Sequence, residues 1–230
     1  MVSSIGSNLQ ELEHHLHEVV RKAGRKRSSL QLLAVSKTFS PQAVSEAHYC
    51  GQKSFGENRV QEAARKIPLC PKGIKWHLIG PLQTNKARKA VQIFDVIQTL
   101  DRPKIIHKTG RAAEDLGKKM RVYLQVNVGG EIQKHGASPS DLPSLLEALE
   151  KNPSLQLEGL MCIPPHDPDP EKTRSFFRQV RSLLEQIDHL SAKPIDQLSM
   201  GMSRDYEIAI QEGATLIRIG TGIFGPRGMR

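Results

Sequence analysis

The chain has 230 residues, 38% of them hydrophobic and 25% charged, which is the balance of a globular protein with one sizeable core rather than of a fibrous or disordered chain. No apolar run approaches the ~20 residues of a membrane span, and residues 1–10 lack the charged and apolar regions of a secretory signal. A net charge of +9 favours anionic partners, either a small phosphorylated ligand or a nucleic acid, but aromatics make up only 4% of the chain and none interleaves with the densest basic stretch, residues 21–27, which argues against a base-stacking surface.

Cys50, Cys70 and Cys162 lie far apart and form no C-x-x-C pair, so neither a disulfide framework nor a zinc site is expected, in keeping with a reducing cytosol. His14 and His17 share a helix face but have no third ligand in view, so no metal is assigned to them. The basic stretch itself reads as the last turn of a helix, where cations complement the dipole, followed by a solvated loop.

In chain order, residues 5–24 carry Ile5, Leu9, Leu12, Leu16, Val19 and Val20 on one stripe, an amphipathic helix stopped by Gly24. Leu32 to Val35 is a short buried strand leading into Ser36-Lys37-Thr38. Ser40-Pro41 opens a helix that stops at Gly51. The pattern then repeats. Strands are expected at 54–56, 75–80, 96–99, 122–128, 155–161, 197–200 and 215–220. Glu57-Asn58-Arg59 is read as the loop after the second strand. Helices are expected at 60–67, from after Lys86 to about 93, and at 103–116, 142–151, 171–190 and 204–213, the sixth strand being followed by a proline-rich loop. About eight strands, each followed by a helix, predict a closed (β/α)8 TIM barrel in a single domain, with a doubly wound open sheet as the alternative.

In such a barrel, ligands collect where the strands end. The residues just past or within the strand ends are Lys37, Asn58 with Arg59, His77 with Gln83 and Asn85, Asn127, Ser199-Met200-Gly201-Met202-Ser203, and Arg218 with Gly220 and Thr221. A half-buried lysine at the first of these loses solvation, which favours the neutral amine that attacks a carbonyl. The last two clusters carry glycines, hydroxyls and helix-opening amides, the chemistry of a phosphate cradle. Arg218 lies in an apolar strand whose period does not settle which way it points; facing inward, it needs an acceptor such as a ring nitrogen or a carboxylate. An amine together with a phosphate cradle suits pyridoxal 5′-phosphate (PLP), while a generic phosphate-binding barrel stays open on these grounds.

Leu33 to Thr38, Phe55 to Glu62, Trp76 to Gly80 with Gln83 to Lys86, Leu198 to Ser203, and Arg218 to Thr221 with Ile223 to Gly225 together resemble the pyridoxal phosphate homeostasis protein family, also called proline synthetase co-transcribed proteins, over nearly the whole chain. The resemblance implies a fold-type III barrel similar to the N-terminal domain of alanine racemase, with PLP held covalently on Lys37. It also implies a phosphate cradle at Ser199, Met200, Gly201, Ser203, Gly220 and Thr221, Asn58 and His77 lining the cofactor, and Arg218 on its ring-nitrogen side. The implied role is non-catalytic: binding, buffering and delivering PLP to PLP-dependent apo-enzymes, and balancing amino-acid and keto-acid pools; a cytoplasmic monomer is expected. The family's Glu-x-x-Lys-x-Gly segment reads here Glu131-Ile132-Gln133-Lys134-His135-Gly136, with Gln133 in place of the usual serine, which weakens Lys134 as a secondary acceptor. A racemase or decarboxylase of the same fold is the alternative, disfavoured because such relatives add a β-domain for which this chain leaves no room.

Overall fold

In the computed structural model, residues 4–131, 135–188 and 194–226 are described. Eight parallel strands among them, β1 (Gln31–Val35), β2 (Ser54–Glu57), β3 (Lys75–Leu78), β4 (Val96–Leu100), β5 (Met120–Val126), β6 (Leu155–Cys162), β7 (Gln197–Met202) and β8 (Leu216–Ile219), pair in chain order and close into a barrel. Closure is made by β1 on β8, with Leu33 opposite Arg218 and Ala34 opposite Ile219. No edge strand is left, which rules out the open doubly wound sheet and gives the (β/α)8 barrel.

Alternation along each strand divides the apolar side chains between two places. Ala34, Phe55, Leu78, Ile97 and Leu124 join the main core between the strands and the surrounding helices. Leu33, Val35, Ile79 and Leu216 form one separate buried group, and Val96, Tyr123 and Met161 another. These fill the barrel interior, so it is a packed core rather than a pore. At the amino ends of the strands, Arg121 on β5 makes a two-pronged pair with Glu158 on β6.

The helices are α1 (Ile5–Lys22), α2 (Pro41–Tyr49), α3 (Val60–Lys66), α4 (Ala87–Ile93), α5 (Pro103–Asp115), α6 (Leu142–Glu150), α7 (Arg174–Asp188), α8 (Tyr206–Gln211) and α9 (Thr221–Phe224). Helix α1 begins where the Ser4 hydroxyl caps the Ser7 amide at 3.1 Å and ends at Gly24, whose φ of +69° a side chain would resist. It buries Leu9, Leu12, Leu16, Val19 and Val20, each contributing about 1.5–3 kcal/mol of hydrophobic stabilisation. That face lies across the closing seam: Asn8 Nδ2 donates to the Ile223 carbonyl of α9 at 2.8 Å, and His15 pairs with Glu207 of α8 at 2.9 Å. Beside it, Phe39 stacks on Phe224 with ring centroids 4.7 Å apart. The seam is thus bridged on both sides of β1.

Several boundaries differ from the sequence expectation. Strand β2 continues through Glu57, because the Glu57 carbonyl accepts the Ile79 amide at 2.9 Å; Glu57 is a strand residue and not part of the loop. Strand β5 starts at Met120, which together with Arg121 pairs with Leu155 and Gln156, and it ends before Asn127. The opening of α6 is set by Ser138 and Asp141, which bond reciprocally across a short 3-10 turn, rather than by Ser140. Helix α7 starts after a similar turn at Pro170–Thr173, and the expected end at Leu190 lies outside the described residues. In the basic stretch, Arg25 donates to the Ile210 carbonyl at 2.9 Å and Arg27 forks onto Glu13, each of its two nitrogens 2.8 Å from an oxygen; these arginines tie the end of α1 to its surroundings instead of sitting in a solvated loop. His14 and His17 face Glu18 and Glu13 of their own helix, and no group of metal ligands occurs among the described residues. The three cysteines are free.

Candidate functional site at the carboxyl rim of the barrel

Lys37 is half-buried in a turn that begins one residue past β1, closed by the Phe39 amide on the Ser36 carbonyl at 3.1 Å. Thr38, the next residue, has φ +70°, a left-handed conformation that β-branched residues avoid. Both neighbours of Lys37 are tied to carboxylates, Glu57 buried and Glu62 partly exposed. Ser36 Oγ donates to Glu57 Oε1 at 2.7 Å, and the Thr38 amide donates to Glu62 Oε1 at 2.7 Å. Lys66, only 6% exposed, donates from Nζ to the Ser36 carbonyl, to Glu57 Oε1 and to Glu62 Oε1 at 2.8, 2.8 and 3.1 Å. Burial pushes the Glu57 carboxyl above its ordinary pKa despite Lys66. Burial would push Glu62 the same way, but the Thr38 amide and Lys66 outweigh it and leave Glu62 lowered.

A second polar system crosses the barrel interior. Arg218 is buried and points inward. Its Nη1 donates to the carbonyl and hydroxyl of Ser199 at 2.6 and 2.8 Å, and its Nη2 donates to the Cys162 carbonyl at 2.8 Å. These acceptors are neutral oxygens, not a core acid. Ser199 Oγ donates to Gln98 Oε1 at 2.6 Å, and Gln98 Nε2 donates to His77 Nδ1 at 2.8 Å. With Nδ1 accepting, the ring proton is on Nε2, and that nitrogen is buried without an acceptor. Desolvation lowers the His77 pKa to about 3, with Lys75 and Arg121 adding to it. The chain of donors therefore runs in one direction, from the guanidinium to a neutral imidazole that has a spare N–H.

The remaining rim residues make contacts of their own. Thr221 Oγ1 donates to Ser203 Oγ at 3.3 Å, joining the loops after β7 and β8. Gly220 is half-exposed, and a Cβ there would meet nothing closer than 3.4 Å, at the Val35 carbonyl; it backs onto the strand that carries Lys37. The backbone of Asn58 lies against Gly80, where a Cβ would come within 2.1 Å of the Asn58 carbonyl. Two expectations change. The side chain of Met200 is buried in the core outside the strands, opposite in parity to Ser199, so what it can offer a ligand is main chain. Gly201 has φ +91°, and a Cβ on it would come within 2.6 Å of the Ala209 methyl; glycine is already required there by the packing of α8 on β7. Lys134 lies outside the described residues.

Sequence reasoning passed over Gln98, Glu57, Glu62 and Lys66. Gln98 carried a usable signal, as a lone amide within the apolar run Val96-Ile97-Gln98. Lys66 carried less, since a lysine four residues after a glutamate on a helix is ordinarily a surface pair.

Residues 7–228 match the family described as alanine racemase, N-terminal domain. The pyridoxal phosphate homeostasis protein of Vibrio cholerae is 42% identical over 97% of both chains, and that of Escherichia coli is 38% identical over 98% of both. Among solved structures, PipY of Synechococcus elongatus is 38% identical and covers 96% of this chain and all of its own, with TM-scores of 0.88 without PLP and 0.84 with PLP bound. An alanine racemase from Clostridium difficile is 13% identical, with TM-score 0.71 over 94% of this chain and 57% of its own, a likeness of fold alone. With these relatives matched almost end to end, the chain belongs to the pyridoxal phosphate homeostasis protein family.

Proposed function

We propose that this chain carries pyridoxal 5′-phosphate on Lys37 as a cytosolic, monomeric, single-unit carrier that buffers the cofactor and passes it to PLP-dependent apo-enzymes, without turning over a substrate of its own. The observation that carries the reading is the presence, on one rim, of the Lys37 turn and the joined Ser203–Thr221 loops, linked through Phe39 on Phe224. When bound, the cofactor supplies an aldehyde for Lys37 and a phosphate for the opposite loops. The residues suit such a ligand. The buried His77 N–H lacks an acceptor, Arg218 brings a fixed positive charge into the interior, and Gly220 leaves main chain open at the rim. In this reading Ser203, Gly220 and Thr221 hold the phosphate, Asn58 and His77 border the ring, and Arg218 stands on the side of the ring nitrogen.

The absence of turnover is supported by the interior's resistance to proton exchange. His77 is held neutral down to about pH 3, and burial raises Tyr123 as well. General acid–base chemistry works best with pKa values near the operating pH. No described helix is long and apolar enough to cross a membrane, in keeping with a cytosolic carrier.

The test is an absorption spectrum with PLP, followed by borohydride reduction and peptide mapping. The expected result is a reduced adduct on Lys37, lost in Lys37→Ala, while that variant keeps weaker, phosphate-anchored binding. No adduct on Lys37 would remove the cofactor reading. Exchange of an amino acid's α-proton with solvent at enzyme-like turnover would move it to a racemase or decarboxylase.

A further inference from the structure

The linked charges behind Lys37 touch little besides one another and the two residues that flank it. Lys66 Nζ meets the Ser36 carbonyl, Glu57 and Glu62; Glu57 meets Ser36 Oγ; Glu62 meets the Thr38 amide. We propose that Glu57, Glu62 and Lys66 are positioning residues for Lys37, a clamp from α3 and β2 on both adjoining residues that fixes the direction in which its amine leaves the turn. The proposal rests on the reading of Lys37 as the attachment point.

Two features of the turn call for such a clamp. First, the backbone at Thr38 is in the left-handed region, where turns ordinarily use glycine. A threonine persists there only if its surroundings over-determine it, and a charge-assisted bond from its amide to Glu62 does that. Second, a buried ammonium with two carboxylates is a costly way to stabilise a fold, since apolar side chains of similar size ordinarily serve as well. What the charges provide that apolar groups do not is direction: Lys66 takes the Ser36 carbonyl on one side of Lys37, and Glu62 takes the Thr38 amide on the other. The bond whose formation is aided joins Lys37 Nζ to an aldehyde carbon with loss of one water, and involves no oxidation or reduction.

The test separates aim from general pocket integrity by comparing PLP with pyridoxine 5′-phosphate, an alcohol that occupies the same site but cannot bond to an amine. Glu62→Gln, which leaves an acceptor for the Thr38 amide but removes the charge, and Lys66→Met are each expected to weaken or slow adduct formation on Lys37 by about tenfold, the difference that charge makes to such a hydrogen bond, while affinity for pyridoxine 5′-phosphate stays within about twofold. Thr38→Gly, added to Glu62→Gln, is expected to recover most of the loss, because glycine holds the turn unaided. Lys66→Met leaves Glu57 buried without its cation and is the variant at risk of misfolding; Glu62, partly exposed, keeps the test open. Unchanged adduct formation in Glu62→Gln, or equal loss of both ligands, would overturn the clamp. A wild-type chain that binds both ligands but forms no adduct on Lys37 would instead overturn the attachment reading, and the clamp with it.

Discussion

At His77 the imidazole is 1% exposed and its pKa falls to about 3, so its proton balance differs between the folded and unfolded chain. An unfolded histidine binds a proton below about pH 6.5; the folded one does not until about pH 3. The stability tied to this residue is therefore complete above pH 6.5 and drains away as pH falls toward 3, by roughly 3 kcal/mol at pH 4. His77→Gln is expected to lose less stability than the wild type between pH 7 and pH 4, measured by urea unfolding at both. The same residue shows how far single side chains could be read. Arg218 and Gln98 are both lone polar residues in buried strands, and such strands are apolar on both faces, so alternation did not say which way either pointed. Only the bonds between them, through Ser199, fix the direction.

At the scale of elements, the order and type of all eight strands and of α1 to α8 could be read from apolar runs and their punctuation, but the ends could not, nor could the single turn of α9, too short to show a helical period. A strand stops where its partner's hydrogen bonds stop, and that belongs to two segments at once. Glu57 looked like loop because it is a charge after a glycine; the amide of Ile79 and the cation of Lys66 make it strand. Gly159 is another such case. A Cβ there would lie 1.7 Å from the Gln197 carbonyl of the neighbouring strand, a contact between backbones that no flexible side chain can relieve. Gly159→Ala is expected to cost about 3 kcal/mol or more through forced separation of β6 and β7, read as a lowered denaturation midpoint with an unchanged slope.

For the whole molecule, the closed barrel makes the site a property of the complete fold. A ligand that binds only the folded chain raises its stability by about 2.7 kcal/mol at a free concentration a hundred times its dissociation constant. PLP is expected to raise the melting temperature accordingly and to leave unfolding as one transition, which calorimetry with and without the cofactor checks. The charge of +9 could be read at once but gave little direction, because several of the arginines behind it serve structure: Arg27 on Glu13, Arg121 on Glu158, Arg174 on Glu171 and Glu212.

The seam between β1 and β8 has a consequence in time. Lys37 follows the first strand to leave the ribosome, and Gly220 and Thr221 follow the last, with Phe39 waiting for Phe224 throughout synthesis. On the proposed attachment, a half-made chain has the amine but no far wall, and a newborn molecule takes up PLP only once its barrel is complete. PLP held as proposed would sit as a clasp between the earliest and latest strands, and its release would loosen the join by which the barrel was closed.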